Sequence, residues 1–410
     1  MELEQHGVHL TYCTNIHPGS GWSEVFANLS RYAPELKGRL APGRRFGLGL
    51  RLSAAEAREL RQPACLDHLQ AFLADQGLYV ALLNGFVHGN FHREVVKKAA
   101  FAPDWQHEAR VDYTLDLLAV LAALLPEDVD GGISTPPISL KGWLAAGDSG
   151  GHVLSVLNLV RVVEAMVRLR QERGRLVHLD VEPEPGGLAE NSRELAAFFR
   201  EWLLPRGAPI LARRLGVAAN AAEELLLEHV RVCLDTCHFA VEHEPAETAW
   251  RTLRATGLRV GRLQVSSALE VALPEDPAGR RRLRERLEPF ADSTYLHQVV
   301  EDQDGELRFF GDLPAALATA ERPGSRRWRI HFHVPLFVDS YGELSSTQAE
   351  TRRFLRLCAA GDVTGHLEIE TYTWDVLPAP LKEDLVESIC REYSWVLGEL
   401  RAAGEWPDDC

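Results

Sequence analysis

The chain has 410 residues and a formal net charge of −15, with 59 acidic against 44 basic side chains. An acidic excess of this size repels a polyanion on average, which argues against nucleic acid as a partner. Seven scattered cysteines, and an N-terminus with no basic region ahead of an apolar stretch, argue against a disulfide framework and a secretory leader; the expected setting is a reducing cytoplasm. The longest apolar run, Leu115–Pro126, is too short to span a bilayer and carries Asp116, so no membrane segment is expected.

Short β-branched or apolar runs alternate with longer helical patterns, the pattern of βα units around a parallel sheet. In chain order the strand candidates are His9–Cys13, Phe46–Leu50, Leu78–Leu83, Val129–Ile133, Leu176–Val181, Val230–Leu234, Arg259–Val265, Trp328–Val334 and His366–Ile369. Ser53 with Glu56 three residues on predicts a capped helix from Ala54 to Leu60. Amphipathic stretches predict helices over Val153–Arg173, Ser192–Leu203, Ala221–His229 and Thr347–Leu357, the last closing a final βαβ unit between the last two strand candidates. Nine candidates exceed the eight strands of a barrel, so one lies outside the ring. The segment 266–327 carries a hairpin signal at Asp304-Gly305 and reads as an insertion. An open doubly wound sheet would need a glycine-rich phosphate turn after an early strand, and Gly47 and Gly49 lie inside one instead. The expected fold is therefore an α/β (β/α)8 TIM barrel, one domain over residues 1–410.

In such a barrel the loops after the strands share one face, so the residues that follow each strand carry the chemistry. After Leu176–Val181 comes Glu182-Pro183-Glu184-Pro185, where the prolines hold the chain extended and present both glutamates at the strand end. After Val230–Leu234 comes Asp235-Thr236-Cys237-His238, an oxygen and a nitrogen donor within one helical turn; the plainer alternative is an aspartate helix cap. Cys233 and Cys237 suggest a zinc clip, but no second cysteine pair accompanies them. In the last strand, alternation puts Glu368 and Glu370 on the same side, with Glu370 nearer the mouth as the expected ligand and Glu368 as an interior carboxylate. His331 and His333 share a face, Gln264 stands near the end of Arg259–Val265, and the loop after Leu78–Leu83 offers Asn84, His88 and His92. Hard carboxylates with one or two imidazoles favour Mn²⁺, Mg²⁺, Co²⁺, Fe²⁺ or Zn²⁺ over a thiolate-bound metal.

Several of these strings resemble the EboE family over nearly the whole chain. They are Leu10-Thr11-Tyr12-Cys13-Thr14-Asn15-Ile16-His17-Pro18-Gly19 with Trp22, the Asn84–His92 loop, Ser134-Thr135-Pro136-Pro137, Leu234–His238, His331-Phe332-His333-Val334-Pro335 and Glu368-Ile369-Glu370-Thr371-Tyr372-Thr373-Trp374-Asp375-Val376-Leu377-Pro378. The resemblance implies a metabolite traffic protein, one of a gene cluster tied to making or moving a secondary metabolite such as the scytonemin precursor of cyanobacteria. It also implies a xylose isomerase-like barrel, a fold shared by sugar isomerases, ketose epimerases, inosose dehydratases and endonuclease IV. Carried over by position, Glu182, Asp235, His238 and Glu370 match that superfamily's site. Many sugar epimerases have a histidine ligand after the seventh strand; here Gln264 stands nearest, with His333 as the substitute if its strand is the true seventh.

These readings converge on a metal-dependent isomerase or epimerase of a sugar- or cyclitol-like metabolite. The expected metal ligands are Glu182, Asp235, Glu370 and either Gln264 or His333, with Glu182 and Glu370 exchanging the proton. Asn84, His88, His238 and Trp374 are the expected substrate contacts. Two alternatives stand beside this one. The first is a non-catalytic carrier that hands a small polar metabolite to other proteins of its pathway; the second is an endonuclease IV-like phosphoesterase, against which the net charge and Gln264 both argue.

Overall fold

Eight short segments form the barrel wall: β1 (Val8–Tyr12), β2 (Phe46–Arg51), β3 (Leu78–Asn84), β4 (Gly131–Thr135), β5 (Val177–Val181), β6 (Val230–Asp235), β7 (Val260–Val265) and β8 (His366–Ile369). Every residue within the seven strands β2 to β8 is buried, as parallel strands covered on both faces require. The computed structural model describes residues 1–3, 7–92, 95–144, 149–291, 294–361, 363–373 and 384–403. Hydrogen bonds order the ring as β1-β8-β7-β6-β5-β4-β3-β2, with each pair parallel. At the seam, β1 and β2 meet through a parallel bridge between Cys13 and Gly49, and Glu2–Leu3 pairs antiparallel along the same edge of β1. The architecture is the nearly closed (β/α)8 barrel that the strand–helix alternation predicts.

The barrel interior holds a charged layer. Arg262 on β7 donates from Nε to Asp180 on β5 at 3.0 Å and from Nη1 to Glu368 on β8 at 2.9 Å, with all three side chains buried. Glycines on β2 and β7 make room for it. A Cβ at Gly49 would sit 1.6 Å from Glu368 Oε1, and one at Gly261 would sit 1.8 Å from Asp180 Oδ1. These glycines serve close packing of side chains inside the barrel, and Glu368 is the paired interior carboxylate expected from its alternation with Glu370.

The helices follow their local signals. Ser53 caps Ala54–Leu60 with the reciprocal bonds of a capping box, Ser53 N–H to Glu56 Oε2 at 2.6 Å and Glu56 N–H to Ser53 Oγ at 3.3 Å. Predicted Val153–Arg173 is helical from Ser149, and predicted Ala221–His229 from Ala219. The stretch from Ser192 runs as an α-helix to Phe198 and then as a π-helical segment through Pro205 to Gly207. None of the helices among the described residues is long and apolar enough to cross a membrane.

Between β7 and β8 the chain builds a second, antiparallel sheet. Its hydrogen-bonded order is Glu306–Phe310, Val299–Gln303, Arg326–Ile330, Leu269–Leu273, Leu344–Ser346, Ser340–Tyr341. The hairpin at Asp304-Gly305 is present, with both turn residues at positive φ (55° and 87°) as a two-residue turn of the primed kind needs. The surplus strand candidate, Trp328–Val334, belongs here and is the one outside the ring. The strand itself runs Arg326–Ile330, where buried and more exposed residues alternate, which suits an antiparallel sheet with one solvated face. The helix Gln348–Ala359, expected to join the last two candidates, therefore leads from this second sheet into β8. The insertion carries the segment after Ile330 back over the C-terminal mouth of the barrel.

Candidate functional site

Three strand ends aim carboxylates at one point. Glu182 follows β5, and its amide donates to Thr135 O at the end of β4 at 3.0 Å, which keeps it in line with the wall. Asp235 ends β6 and caps the helix Thr236–Val241, its Oδ1 accepting from the amides of Cys237 (2.8 Å) and His238 (3.1 Å) and from Ser266 Oγ (2.7 Å). Glu370 follows β8, and its amide donates to Val265 O at 3.1 Å. Each offers an oxygen within 4.8 Å of the other two, and all three are buried.

Not all of those oxygens are satisfied. Glu370 Oε1 accepts from Asn15 Nδ2 at 2.7 Å and Asn84 Nδ2 at 3.1 Å, whereas Glu182 Oε2 and Asp235 Oδ2 have no hydrogen-bond partner. Burial, then the neighbouring carboxylates, pushes Glu182 and Glu370 well above the ordinary carboxylate range. Burial would raise Asp235 as well, but the His238 and His333 imidazoles and the bonds from Ser266 and His238 hold it below its usual value. Clustered buried carboxylates with orphaned oxygens fit a divalent cation, which offsets their mutual repulsion and takes the free lone pairs.

Beside the carboxylates stand three imidazoles. His238 follows β6 by one helical turn, and His331 and His333 come down from the inserted sheet. Their Nε2 atoms converge, 3.2 Å between His238 and His331 and 3.3 Å between His331 and His333. His333 Nε2 lies 3.8 Å from Asp235 Oδ2, so the two groups adjoin. Burial, then the neighbouring imidazoles, drives His331 well below the ordinary histidine value; burial lowers His333 to about 4 against the pull of Asp235. Glu184, which also faces inward, accepts from Gln298 Nε2 at 2.8 Å and lies 3.4 Å from His331 Nδ1. Burial lifts Glu184 to about 7.

A cavity of about 590 Å³, counted to its open mouth, lies over these groups. Glu182, Glu184, His238, His331, His333 and Glu370 line its polar side. Phe86, Val87, Phe91, Phe101, Tyr295 and Tyr372 line the other side, several of them packed in a separate apolar cluster above the barrel. Arg51 reaches the cavity from the end of β2 and lies 3.6 Å from Glu56.

The residues singled out from sequence fall into three sets. Glu182, Asp235, Glu370, His238, His333 and Asn84 come together. Gln264 and His88 take other positions. Gln264 is buried on β7, in register between Asp235 and Glu368, and its Oε1 accepts from Cys233 Sγ at 2.8 Å. His88 is half-buried with its ring edge-on to Tyr113 at 5.1 Å, and it is not among the residues lining the cavity. Trp374 and the string that follows it lie outside the described residues. Sequence reasoning did not assign Asn15, Gln298, Tyr295 or Tyr372. Asn15 and Tyr372 sit inside the strings that carried the family resemblance; Gln298 and Tyr295 stand in the insertion with no local signal.

No protein-family profile matches the chain. No curated protein sequence is detectably similar to it either. Solved structures do match. One is a xylose isomerase-like TIM barrel protein from Mycobacterium smegmatis in complex with magnesium, at 11% identity and TM-score 0.50 over 97% of this chain and 98% of that one. Another is a xylose isomerase domain containing protein from Salmonella typhimurium, at 13% identity and TM-score 0.43 over 97% and 99%. The IolI protein with a bound zinc atom aligns at 10% identity and TM-score 0.43 over 96% and 99%. At these identities the likeness speaks of fold alone, and the fold of the Mycobacterium smegmatis protein is a TIM barrel, as here.

Proposed function

We propose that the chain is a metal-dependent isomerase or epimerase acting on a sugar- or cyclitol-like metabolite at the C-terminal mouth of the barrel. The observation that carries this reading is the convergence of Glu182, Asp235 and Glu370, buried, within 4.8 Å of one another and with unpartnered oxygens on two of them. A divalent ion there would hold adjacent carbonyl and hydroxyl oxygens and stabilise the negative charge that develops between them. The protein's part is the proton. Glu182 and Glu370 enter from β5 and β8, three strands apart in the ring, so one takes a proton from carbon and the other returns it from the opposite face. Burial and the neighbouring carboxylates raise the proton affinity of both above that of an ordinary carboxylate, which favours their taking up a proton. Asn15 and Asn84 hold Glu370 by one oxygen, and His238 meets a substrate hydroxyl. Gln264, its oxygen engaged by Cys233, lies behind Asp235 in this reading. The resemblance to the EboE family supports a place in making or moving a secondary metabolite, with other proteins of that pathway as partners.

A non-catalytic carrier is the second reading, favoured by the apolar side of the cavity, which holds a ligand without reacting with it. Incubation with ketoses and keto-cyclitols (inososes) in D₂O separates the two. The isomerase incorporates deuterium at the carbon beside the carbonyl, and Glu182→Gln and Glu370→Gln lose that exchange. A wild type that binds a member of the panel without any exchange is a carrier.

A further inference from the structure

The opposite end of the barrel carries a polar cluster that the mouth does not use. On β5 alternation puts His178 and Asp180 on one side, in line with Glu182; on β8 it does the same for His366 and Glu368, in line with Glu370. The two glutamates stand at the mouth, and Asp180 and Glu368 form the charged layer with Arg262. The two histidines therefore lie beneath that layer at the barrel floor, about 13 Å below the mouth at about 3.3 Å per residue. Asp130, the residue before β4, meets them there. Its Oδ1 lies 2.8 Å from His366 Nε2 and its Oδ2 3.6 Å from His178 Nε2, while Arg231 on β6 donates from Nη1 to Oδ2 at 3.0 Å.

Both histidines keep a nitrogen with nothing to bond. His178 Nδ1 faces Asp180 Oδ1 at 2.5 Å, and Asp180, ion-paired with Arg262, only accepts, so Nδ1 carries the proton. His178 Nε2 is buried without a hydrogen-bond partner, and 3.6 Å from Asp130 is too long for one. His366 Nδ1 is buried and unpartnered too, so no second contact fixes the tautomer of that ring. Gly132 and Gly261 pin the His178 ring, since a Cβ at either would sit 2.8 Å from it. An imidazole backed by a carboxylate on Nδ1, with a bare Nε2 aimed at further donors, is the usual form of a metal-binding histidine. We propose that one oxygen of Asp130, Nε2 of His178 and a ring nitrogen of His366 hold a zinc-like divalent cation at the barrel floor. One donor atom from each of the three lies within 4.8 Å of the others. The Asp130 side chain is 32% exposed, which gives the ion a way in and water a place on it, while Arg231 keeps the second oxygen. Two imidazoles and one carboxylate suit Zn²⁺ or Co²⁺ better than Mg²⁺. The ion ties the starts of β4, β5 and β8 together, a structural task that does not rest on the isomerase reading.

The test is anomalous scattering at the zinc absorption edge from crystals of the whole wild-type chain loaded with Zn²⁺, a readout that needs no variant to fold. The expected result is a peak about 2.0–2.2 Å from Asp130 and both imidazoles. No peak at the floor overturns the proposal, whatever is found at the mouth. A floor peak without a mouth peak upholds it and counts instead against the isomerase reading. In solution, after zinc loading and dialysis, Asp130→Ala should hold one equivalent fewer than wild type, while Glu370→Gln keeps the floor ion. Equal zinc in wild type and Asp130→Ala also overturns the proposal.

Discussion

Asn84 Nδ2 donates to Glu370 Oε1 at 3.1 Å across the barrel mouth, on the same oxygen that Asn15 holds at 2.7 Å. Two amides on one oxygen fix the direction of the carboxylate. Removing one amide should loosen Glu370 without unfolding the barrel. Asn84→Ala is expected to weaken divalent-metal binding by about 10–100-fold, the usual cost of losing a partner behind a ligand. Titration with Mn²⁺ checks this, and affinity equal to wild type would show that Glu370 needs no such support.

Asp235 has two tasks, and two substitutions separate them. Its Oδ1 caps the helix Thr236–Val241, while its Oδ2 has no partner. Asp235→Asn keeps an oxygen for the cap and removes the charge, so it should bind metal at least tenfold more weakly with nearly unchanged stability. Asp235→Ala loses the cap as well and should cost about 1 kcal/mol more by denaturant unfolding. Full metal retention in both variants would contradict the placement of the site.

The charged layer inside the barrel predicts stability effects with no metal involved. Arg262→Met leaves Asp180 and Glu368 buried without their cation and is expected to cost about 3–5 kcal/mol. Gly49→Ala drives a methyl group against Glu368 Oε1 and should cost about 1–3 kcal/mol. Urea midpoints at constant slope measure both.

Glu392 gives a pH prediction. Burial raises its carboxyl from 4.5 to about 7, against the bonds from Thr371 Oγ1 (2.6 Å) and the Leu336 amide (3.3 Å). A carboxyl raised in the folded state costs nothing below the unfolded value, where both states are protonated. As pH rises from 4.5 toward 7 the unfolded chain ionises first and folding stability falls. The loss is on the order of 1–3 kcal/mol across that window. Glu392→Gln keeps the acceptor for Thr371 and cannot ionise, so its stability should stay flatter from pH 4.5 to 7. Parallel curves for the two proteins would show that Glu392 is not the source.

The barrel was legible because its strands are short runs buried on both faces, and because polar residues follow them in the right places. Glu182 after two-sided burial and before proline, Asp235 ahead of a helix, and Glu370 alternating with Glu368 could each be placed from chain position alone. Trp328–Val334 could not be assigned to the ring or outside it, because an apolar alternation of that length suits either sheet; the choice depends on partners at Val299–Gln303 and Leu269–Leu273, which local sequence does not specify. Its pairing of His331 with His333 on one face survived, since alternate residues of an extended chain share a side even beyond the strand's end. Gln298 and Asn15 were not legible, because an amide's role depends on which groups the folded chain brings to it. His88 drew notice as a histidine in a glycine-bearing loop, yet its ring packs on Tyr113.

The account stands most directly on whether the carboxylates hold an ion. Wild type and Glu370→Gln, each loaded with Mn²⁺ and dialysed without chelator, can be compared by elemental analysis. The account predicts that the wild type retains manganese and that Glu370→Gln loses one equivalent of it while keeping its fold. Equal manganese in the two proteins, or none taken up by the wild type, would contradict it.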